Sequence, residues 1–209
     1  SLSKLPSNVA LAGLLFDLDG TLIDSSGDLT GTVNRLLGKL GLQQLDPVRV
    51  LSFVGEGVRV LVTRSLTAAT GNAPTDTEVS SAVNQFEELY AQHMLDETRL
   101  YPNVVEMLAE LKGFPKAVVT NKARGFSVAI LEALGIAGEF EEVVGGDCPD
   151  GRKPSAAPLL YALRHLGVEP SRAMMVGDTK IDIISGQAAG TWTCGYSAGF
   201  RGRRDLEDA

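Results

Sequence analysis

One short stretch constrains the fold of this chain more than any other. The apolar run from Leu11 to Phe16 ends abruptly at Asp17, and Asp19 and Gly20 follow. A short, continuous apolar run is typical of a strand buried on both faces of a parallel sheet. Residues two apart on an extended segment project to the same side, and glycine permits a sharp turn. We therefore expect Asp17 and Asp19 to point together beyond the carboxyl end of the strand, where ligands bind in open α/β sheets.

Two carboxylates held this close repel each other and need a counter-charge. Mg²⁺ suits them, because it needs only one or two carboxylates together with a phosphate and waters. A carboxylate can also act as a nucleophile, and a second one beside it can give a proton to a leaving oxygen. We reject a calcium loop of the EF-hand type, because Thr-Leu-Ile follows Gly20 and the further oxygen ligands of such a loop are missing.

The segment after this strand has the apolar spacing of helices throughout. We predict an all-helical domain over residues 24–96, inserted after the first strand. In it, Asp28 is expected to cap the first helix, and Thr75 and Glu78 have the spacing of a capping box.

From Leu100 onwards short apolar strands alternate with helical segments. This alternation indicates a parallel, doubly wound, Rossmann-like sheet. The predicted α/β core domain therefore comprises residues 1–23 and 97–209.

Polar residues also follow two later strands. Thr120 and Asp178 come directly after apolar runs, and in a βαβ sheet they would share one crevice with the aspartates of the first strand. Thr120 and Asn121 could hold phosphate oxygens, although the pair is also common in turns. Lys153 could balance the carboxylates, although a lysine is more often on the surface.

These residues fall in motifs that resemble those of the haloacid dehalogenase superfamily of phosphohydrolases. The sequence FDLDGTLIDS at 16–25 is similar to the first motif, and Thr120 stands where the second has Ser or Thr. Arg-Lys-Pro at 152–154 and Gly-Asp-Thr-Lys-Ile-Asp at 177–182 resemble the third and fourth. The family often continues the third motif with Asp-Pro, where this chain has Ser-Ala. The resemblance runs from Ala12 to about Gly199, and the missing last strand and helix suggest a truncated or short C-terminus.

The resemblance implies phosphoryl transfer to Asp17, followed by hydrolysis. Asp19 would protonate the leaving alcohol and then activate water, while Thr120 and Lys153 would hold phosphoryl oxygens. Mg²⁺ would be bound by the carboxylate of Asp17, the backbone carbonyl of Asp19 and the carboxylate of Asp178. In a supporting role, Asp182 would orient Lys153 or a metal-bound water; the residues expected to contact substrate are Gly20, Thr21, Asn121, Lys122, Gly55, Glu56, Gly57 and Arg59.

The helical insertion places the chain in the subgroup with phosphoglycolate phosphatases, β-phosphoglucomutases and small pyrophosphatases. The resemblance is closest to phosphoglycolate phosphatases, so hydrolysis of 2-phosphoglycolate to glycolate and phosphate is expected. A phosphomutase and a pyrophosphatase remain alternatives. A phospho-aspartate receiver would need neither the insertion nor a proton donor, and a dehalogenase would not need Asp19.

Composition limits the partners. The net charge is −7 and no basic stripe is visible, so we expect no nucleic-acid partner and a small phosphorylated metabolite instead. No stretch is apolar enough to span a membrane. Cys148 and Cys194 have neither disulfide nor zinc spacing, which fits a cytoplasmic protein. His93 and His165 are expected at the surface, and the oligomeric state stays open.

Overall fold

A five-stranded parallel sheet forms the centre of the fold. The computed structural model describes residues 10–207. The strands, numbered along the chain, are β1 (Gly13–Phe16), β2 (Ile23–Asp24), β3 (Arg99–Leu100), β4 (Lys116–Val119), β5 (Glu142–Val144), β6 (Ala173–Gly177) and β7 (Trp192–Gly195). The order in the large sheet is β5-β4-β1-β6-β7, while β2 and β3 form a separate antiparallel pair.

The first strand lies in the middle of the sheet and is buried on both faces, as predicted. Leu15 pairs in register with Ala117 of β4 and Met175 of β6. Leu14 and Phe16 pack into the apolar cluster on one face, whereas Leu15 packs into the cluster on the other. The strand order reverses at β1, which places the crevice for a ligand at its carboxyl end.

Four helices lie between β2 and β3, and we call them the cap. They are α1 (Ser26–Lys39), α2 (Pro47–Leu51), α3 (Val58–Thr70) and α4 (Asp76–His93). The capping box of α4 is confirmed, since the Thr75 side chain accepts from the Glu78 backbone and the Glu78 carboxylate accepts from the Thr75 backbone. The helical character of the insertion agrees with the sequence, while the division at 24–96 stays a prediction.

The expectation that Asp28 caps α1 is wrong. The helix begins at Ser26, and Asp28 lies within its first turn. The buried Asp28 carboxylate accepts from the backbone N–H groups of Glu97 and Thr98 and from the Thr98 hydroxyl, the last at 2.7 Å. Asp28 therefore joins the start of the cap to the segment in which the chain returns to the core.

The remaining helices cover the sheet, and with it they form the core. They are α5 (Val104–Glu110), α6 (Arg124–Ala133), α7 (Ala157–Leu166), α8 (Lys180–Ala189) and α9 (Gly202–Glu207), with 3₁₀ turns at Ala137–Glu139 and Pro170–Arg172. Side chains of α7 pack with Leu15 in one apolar cluster, and α6 contributes to the other. Strands alternating with helices on both faces confirm the doubly wound architecture. Across residues 10–207, no helix is both long and apolar enough to cross a bilayer.

Candidate active site

Asp17, Lys153 and Asp182 form a buried chain of charges at the carboxyl end of β1. The Lys153 ammonium lies 2.9 Å from Oδ1 of Asp17 and donates to Oδ1 of Asp182 at 2.6 Å. Burial raises the pKa of Asp17 to about 6, with Lys153 opposing the shift and Asp182 adding to it. Burial lowers the pKa of Lys153, but the two carboxylates outweigh it and the net shift is upward.

Asp178, at the end of β6, lies beside this chain and is fully buried. Its carboxylate accepts from the Thr21 hydroxyl at 3.2 Å and from the Phe200 backbone N–H at 3.0 Å. Burial, followed by the charges of Asp17 and Asp182, raises its pKa to about 8. A cation bound beside Asp178 would favour its ionised form and so oppose this shift.

The donor set fits a hard divalent cation. Carboxylate oxygens of Asp17, Asp178 and Asp182 lie within 4.8 Å of one another. Both oxygens of Asp182 are engaged, one by Lys153 and the other by the backbone and hydroxyl of Thr179. Among the described residues, the buried Oδ1 of Asp17 accepts no hydrogen bond in good geometry, and its contact with the Lys153 ammonium at 2.9 Å is an ion pair. Each oxygen of Asp178 accepts a single hydrogen bond. Asp17 and Asp178 therefore keep lone pairs for a metal, and oxygen-only donors suit Mg²⁺.

Charge balance supports the same reading. Four aspartates and two lysines are gathered at the strand ends, so two negative charges remain when all six are ionised. They are Asp17, Asp19, Asp178, Asp182, Lys122 and Lys153. One divalent cation would cancel the excess. Gly20, at φ 82°, lies so close to Asp178 that a Cβ there would overlap the carboxylate, so this glycine shapes the site.

Asp19 lines the cleft and is held by two polar side chains. Its carboxylate accepts from the Ser25 hydroxyl at 2.6 Å and lies 3.1 Å from the Lys122 ammonium. Lys122 in turn donates to the hydroxyl of Tyr90 in α4 at 2.8 Å, and its Nζ lies 4.4 Å from the centre of that ring. Burial alone lowers the pKa of Lys122, but Asp19 and Tyr90 raise it above its ordinary value.

Thr120 and Asn121 follow β4 and lie next to Asp17. Both are buried, and both line the cleft. The Thr120 hydroxyl accepts from the Lys122 backbone at 3.3 Å, and within residues 10–207 its own proton has no acceptor and is available to donate. Asn121 differs from the expectation, because its side chain bonds to Lys153 and to Gly55 instead of facing a substrate with free donors.

A cleft lies between core and cap, and it is partly open to solvent. The core wall presents Asp17, Asp19, Thr120, Lys122 and Asp178. The cap wall is mainly apolar; it presents Leu29, Val54, Val58, Leu61, Phe86 and Tyr90, with Gly55, Gly57 and Glu87.

Two predicted substrate contacts are not at the cleft. The Arg59 guanidinium lies 2.8 Å from Asp76 and donates to Ser80, with nearly half of its side chain exposed. Glu56 pairs with Arg64 at 2.7 Å. Val58 occupies the cleft face at the start of α3, so its neighbour Arg59 points outwards. The hydroxyl of Thr21, another predicted substrate contact, donates to the Asp178 carboxylate.

Sequence reasoning overlooked several residues of the site. Ser25 stands inside the first motif, and Tyr90 is a buried residue of α4 with no motif around it. Phe200 and Arg201 belong to a segment without recognisable pattern, yet Phe200 lines the cleft and Arg201 donates to the Val54 carbonyl of the cap. His165 is exposed as predicted, while His93 is partly buried against Asp96.

Comparison with known proteins agrees with this geometry. The sequence matches the family model described as haloacid dehalogenase-like hydrolase over residues 14–196. The chain belongs to this family. It is 42% identical over 190 residues to a phosphoglycolate phosphatase of Haemophilus influenzae, covering 88% of this chain and 85% of that protein. It is 40% identical to a phosphoglycolate phosphatase of Aquifex aeolicus, covering 86% of this chain and 82% of that one.

A solved structure of the same family has the same fold. The crystal structure of a predicted phosphoglycolate phosphatase from Haemophilus somnus superimposes with a TM-score of 0.85 at 35% identity. The match covers 90% of this chain and 86% of that one. The similarity therefore extends over most of both chains.

Proposed function

We propose that this protein is a Mg²⁺-dependent phosphatase that hydrolyses small phosphate monoesters through an aspartyl-phosphate on Asp17. The enzyme class, a phosphoric monoester hydrolase, follows from the family and from the relatives. The observation that carries the mechanism is the position of Asp17. It directly follows the central strand and lines the cleft, and its buried Oδ1 lies 2.9 Å from the Lys153 ammonium.

The reaction would proceed in two steps. A carboxylate oxygen of Asp17 attacks phosphorus, the bond to the alcohol breaks, and Asp19 gives its proton to the departing oxygen. Asp19 then takes a proton from water, which attacks phosphorus and releases Asp17 and inorganic phosphate. Ser25 and Lys122 hold the Asp19 carboxylate at the edge of the cleft for both proton transfers.

The transferring group must be held while its charge changes. The Thr120 hydroxyl and the Lys153 ammonium would contact phosphoryl oxygens, because Thr120 lines the cleft and Lys153 adjoins Asp17. Mg²⁺ held by Asp17 and Asp178, with the predicted carbonyl of Asp19, would neutralise charge on the phosphoryl group. Asp182 fixes Lys153 through its 2.6 Å contact and thereby supports the site.

The substrate we propose is 2-phosphoglycolate, on the strength of the relatives that carry this activity in their names. Because the cap wall is mainly apolar, the polar contacts of such a molecule would come from the core wall and from the backbone of Gly55 and Gly57. We also place the enzyme in the cytoplasm, because Cys148 and Cys194 are both free thiols.

A panel of phosphate esters tests the proposal. Phosphate release from 2-phosphoglycolate, pyrophosphate and several sugar phosphates would be measured with Mg²⁺ and with excess chelator. We expect chelator-sensitive release with a preference for 2-phosphoglycolate. A preference for pyrophosphate would refute the proposed substrate but would leave the proposed mechanism standing. Interconversion of glucose 1- and 6-phosphates would identify a phosphomutase, and no reaction with any compound would refute the proposal.

A further inference from the structure

The Asn121 side chain crosses the boundary between cap and core. Its Nδ2 donates to the backbone carbonyl of Gly55 in the cap and to that of Lys153 in the core, each at 2.9 Å. Its Oδ1 accepts from the backbone N–H of Lys153 at 3.0 Å. The carboxamide is buried, and these bonds use both of its amide hydrogens. Asn121 is therefore built to hold two pieces of backbone together.

One of these pieces carries a residue of the site. Asn121 fixes both polar backbone groups of Lys153, whose ammonium lies between Asp17 and Asp182. A lysine side chain is long and flexible, so the position of its backbone limits where the ammonium can lie. A misplacement of about 1 Å at a reacting centre can cost on the order of 100-fold in rate.

The other piece is the cap loop, which we define as residues 54–57. Two consecutive carbonyls of this loop are held by core side chains, Val54 by Arg201 and Gly55 by Asn121. Gly55 and Gly57 have φ values of 116° and 88°, which other residues rarely adopt. Val54, Gly55 and Gly57 all line the cleft, so the docking of this loop shapes the substrate cavity.

We propose that Asn121 is a positioning residue that couples the docking of the cap loop to the placement of Lys153 against Asp17. The same Nδ2 group serves both partners. If the loop moves away, a buried amide hydrogen loses its acceptor, which is costly unless the carboxamide reorients. Reorientation would release the Lys153 backbone. The inference rests on the proposed function, because it gives Lys153 and Asp17 their roles.

A matched pair of variants provides the first test. Asn34 makes a similar clamp inside the cap, where its Nδ2 donates to the Leu45 carbonyl at 3.0 Å and its Oδ1 accepts from the Leu45 N–H at 2.9 Å. We expect Asn121→Ala to lower kcat for 2-phosphoglycolate by about 10- to 100-fold with a smaller change in KM. Asn34→Ala should lower the thermal midpoint of unfolding comparably and leave kcat within about twofold.

Two outcomes of this test would overturn the proposal. Wild-type kcat in a folded Asn121→Ala protein would show that Lys153 needs no such placement. An equal loss of kcat in Asn34→Ala would show that any weakened clamp lowers activity through stability alone.

The second test needs no turnover. Arg201→Met removes the bond to Val54 and so loosens the cap loop without touching Asn121. If the two ends are coupled, amide hydrogen exchange at Lys153, followed by NMR, should quicken by about tenfold relative to Val118 in β4, which reports global opening. Unchanged relative exchange at Lys153 would refute the coupling. If the wild type releases no phosphate, the proposed function fails while this measurement still decides the coupling.

Discussion

The core wall of the cleft carries titratable side chains, each engaged with another side chain, whereas the cap wall contributes mainly apolar surface together with Glu87. Asp17 adjoins Lys153, and Asp19 adjoins Lys122. On the cap side, Val54, Val58 and Phe86 bring no charge. This difference indicates that residues of the core would carry out the reaction, whereas residues of the cap would select the substrate. The predictions below test this division, beginning with the largest expected effect.

Asp17→Asn should abolish turnover, with kcat reduced by on the order of 10⁴ or more, because an amide oxygen cannot act as the nucleophile. Lys153 would keep Asp182 as its partner, so the fold should persist. Steady-state phosphate release and thermal unfolding of the same preparation measure the two quantities. Substantial activity in the folded variant would show that Asp17 is not the nucleophile.

Asp178→Asn should remove the stabilisation of the protein by Mg²⁺. For the wild type, saturation at 100 times the dissociation constant would add about 2.7 kcal/mol to the free energy of unfolding. The variant should show little of this, and its phosphate release should fall sharply. The measurement is the thermal midpoint of unfolding with Mg²⁺ and with chelator. If Mg²⁺ raised the midpoint of the variant as much as that of the wild type, Asp178 would not be a metal ligand.

The pH dependence of the metal-free protein follows from the raised carboxyl pKa values. The folded state holds the proton of Asp178 more tightly than the unfolded state, so this contribution to stability is complete below pH 3.8 and is lost as pH rises through about 8. The raised pKa of Asp17, about 6, acts in the same direction. Because Mg²⁺ must displace these protons, its affinity should rise with pH over the same range. Thermal midpoints measured across pH without metal would test the stability trend, and the shift of these midpoints on adding Mg²⁺ would test the affinity trend. Asp178→Asn should flatten both.

Lys122→Met should lower kcat by about 10- to 100-fold for alkyl phosphates, because Asp19 loses the cation that holds it. The loss should be smaller for p-nitrophenyl phosphate, whose leaving group needs little protonation. Tyr90→Phe, which keeps the ring over Lys122, should have the weaker effect. Equal losses for both substrates would argue against a role of Lys122 at the proton donor.

Val58→Ala and Arg59→Ala compare the two faces of one helix. Val58 lines the cleft, so its truncation should change the ratio of kcat/KM between a small and a larger ester by about tenfold. Arg59 pairs with exposed Asp76, so its truncation should change kcat/KM by no more than about twofold. A large effect of Arg59→Ala on KM would restore the substrate contact first predicted for it.

The core site could be predicted because parallel strands oblige their carboxyl ends to meet. Asp17, Thr120 and Asp178 follow recognisable apolar strands, so their convergence needs no information from distant parts of the chain. Lys153 was less certain from the residues alone, since only the motif gave it a place.

The cap contacts could not be predicted, because they depend on the exact start of a helix and on distant partners. With α3 beginning at Val58, Arg59 turns outwards and meets Asp76, 17 residues away. Aspartate is a common N-cap residue of helices, but the Asp28 carboxylate binds backbone donors about 70 residues later instead. The helix α2 and the pair β2–β3 are too short for a periodic pattern to reveal them.

The small β2–β3 pair brings together the two points at which the chain leaves and re-enters the core. Ile23 pairs with Leu100, and Asp24 pairs with Arg99. The ends of the insertion are thus fixed side by side whatever lies between them, and added length there costs little closure entropy. The sheet can therefore stay the same while the cap attached to it changes. A cap of another size or shape could be grafted at this junction while β1, β4 and β6 keep their register, provided that it still offers Asn121 the carbonyl that Gly55 supplies. New substrate ranges could then arise without rebuilding the reaction centre.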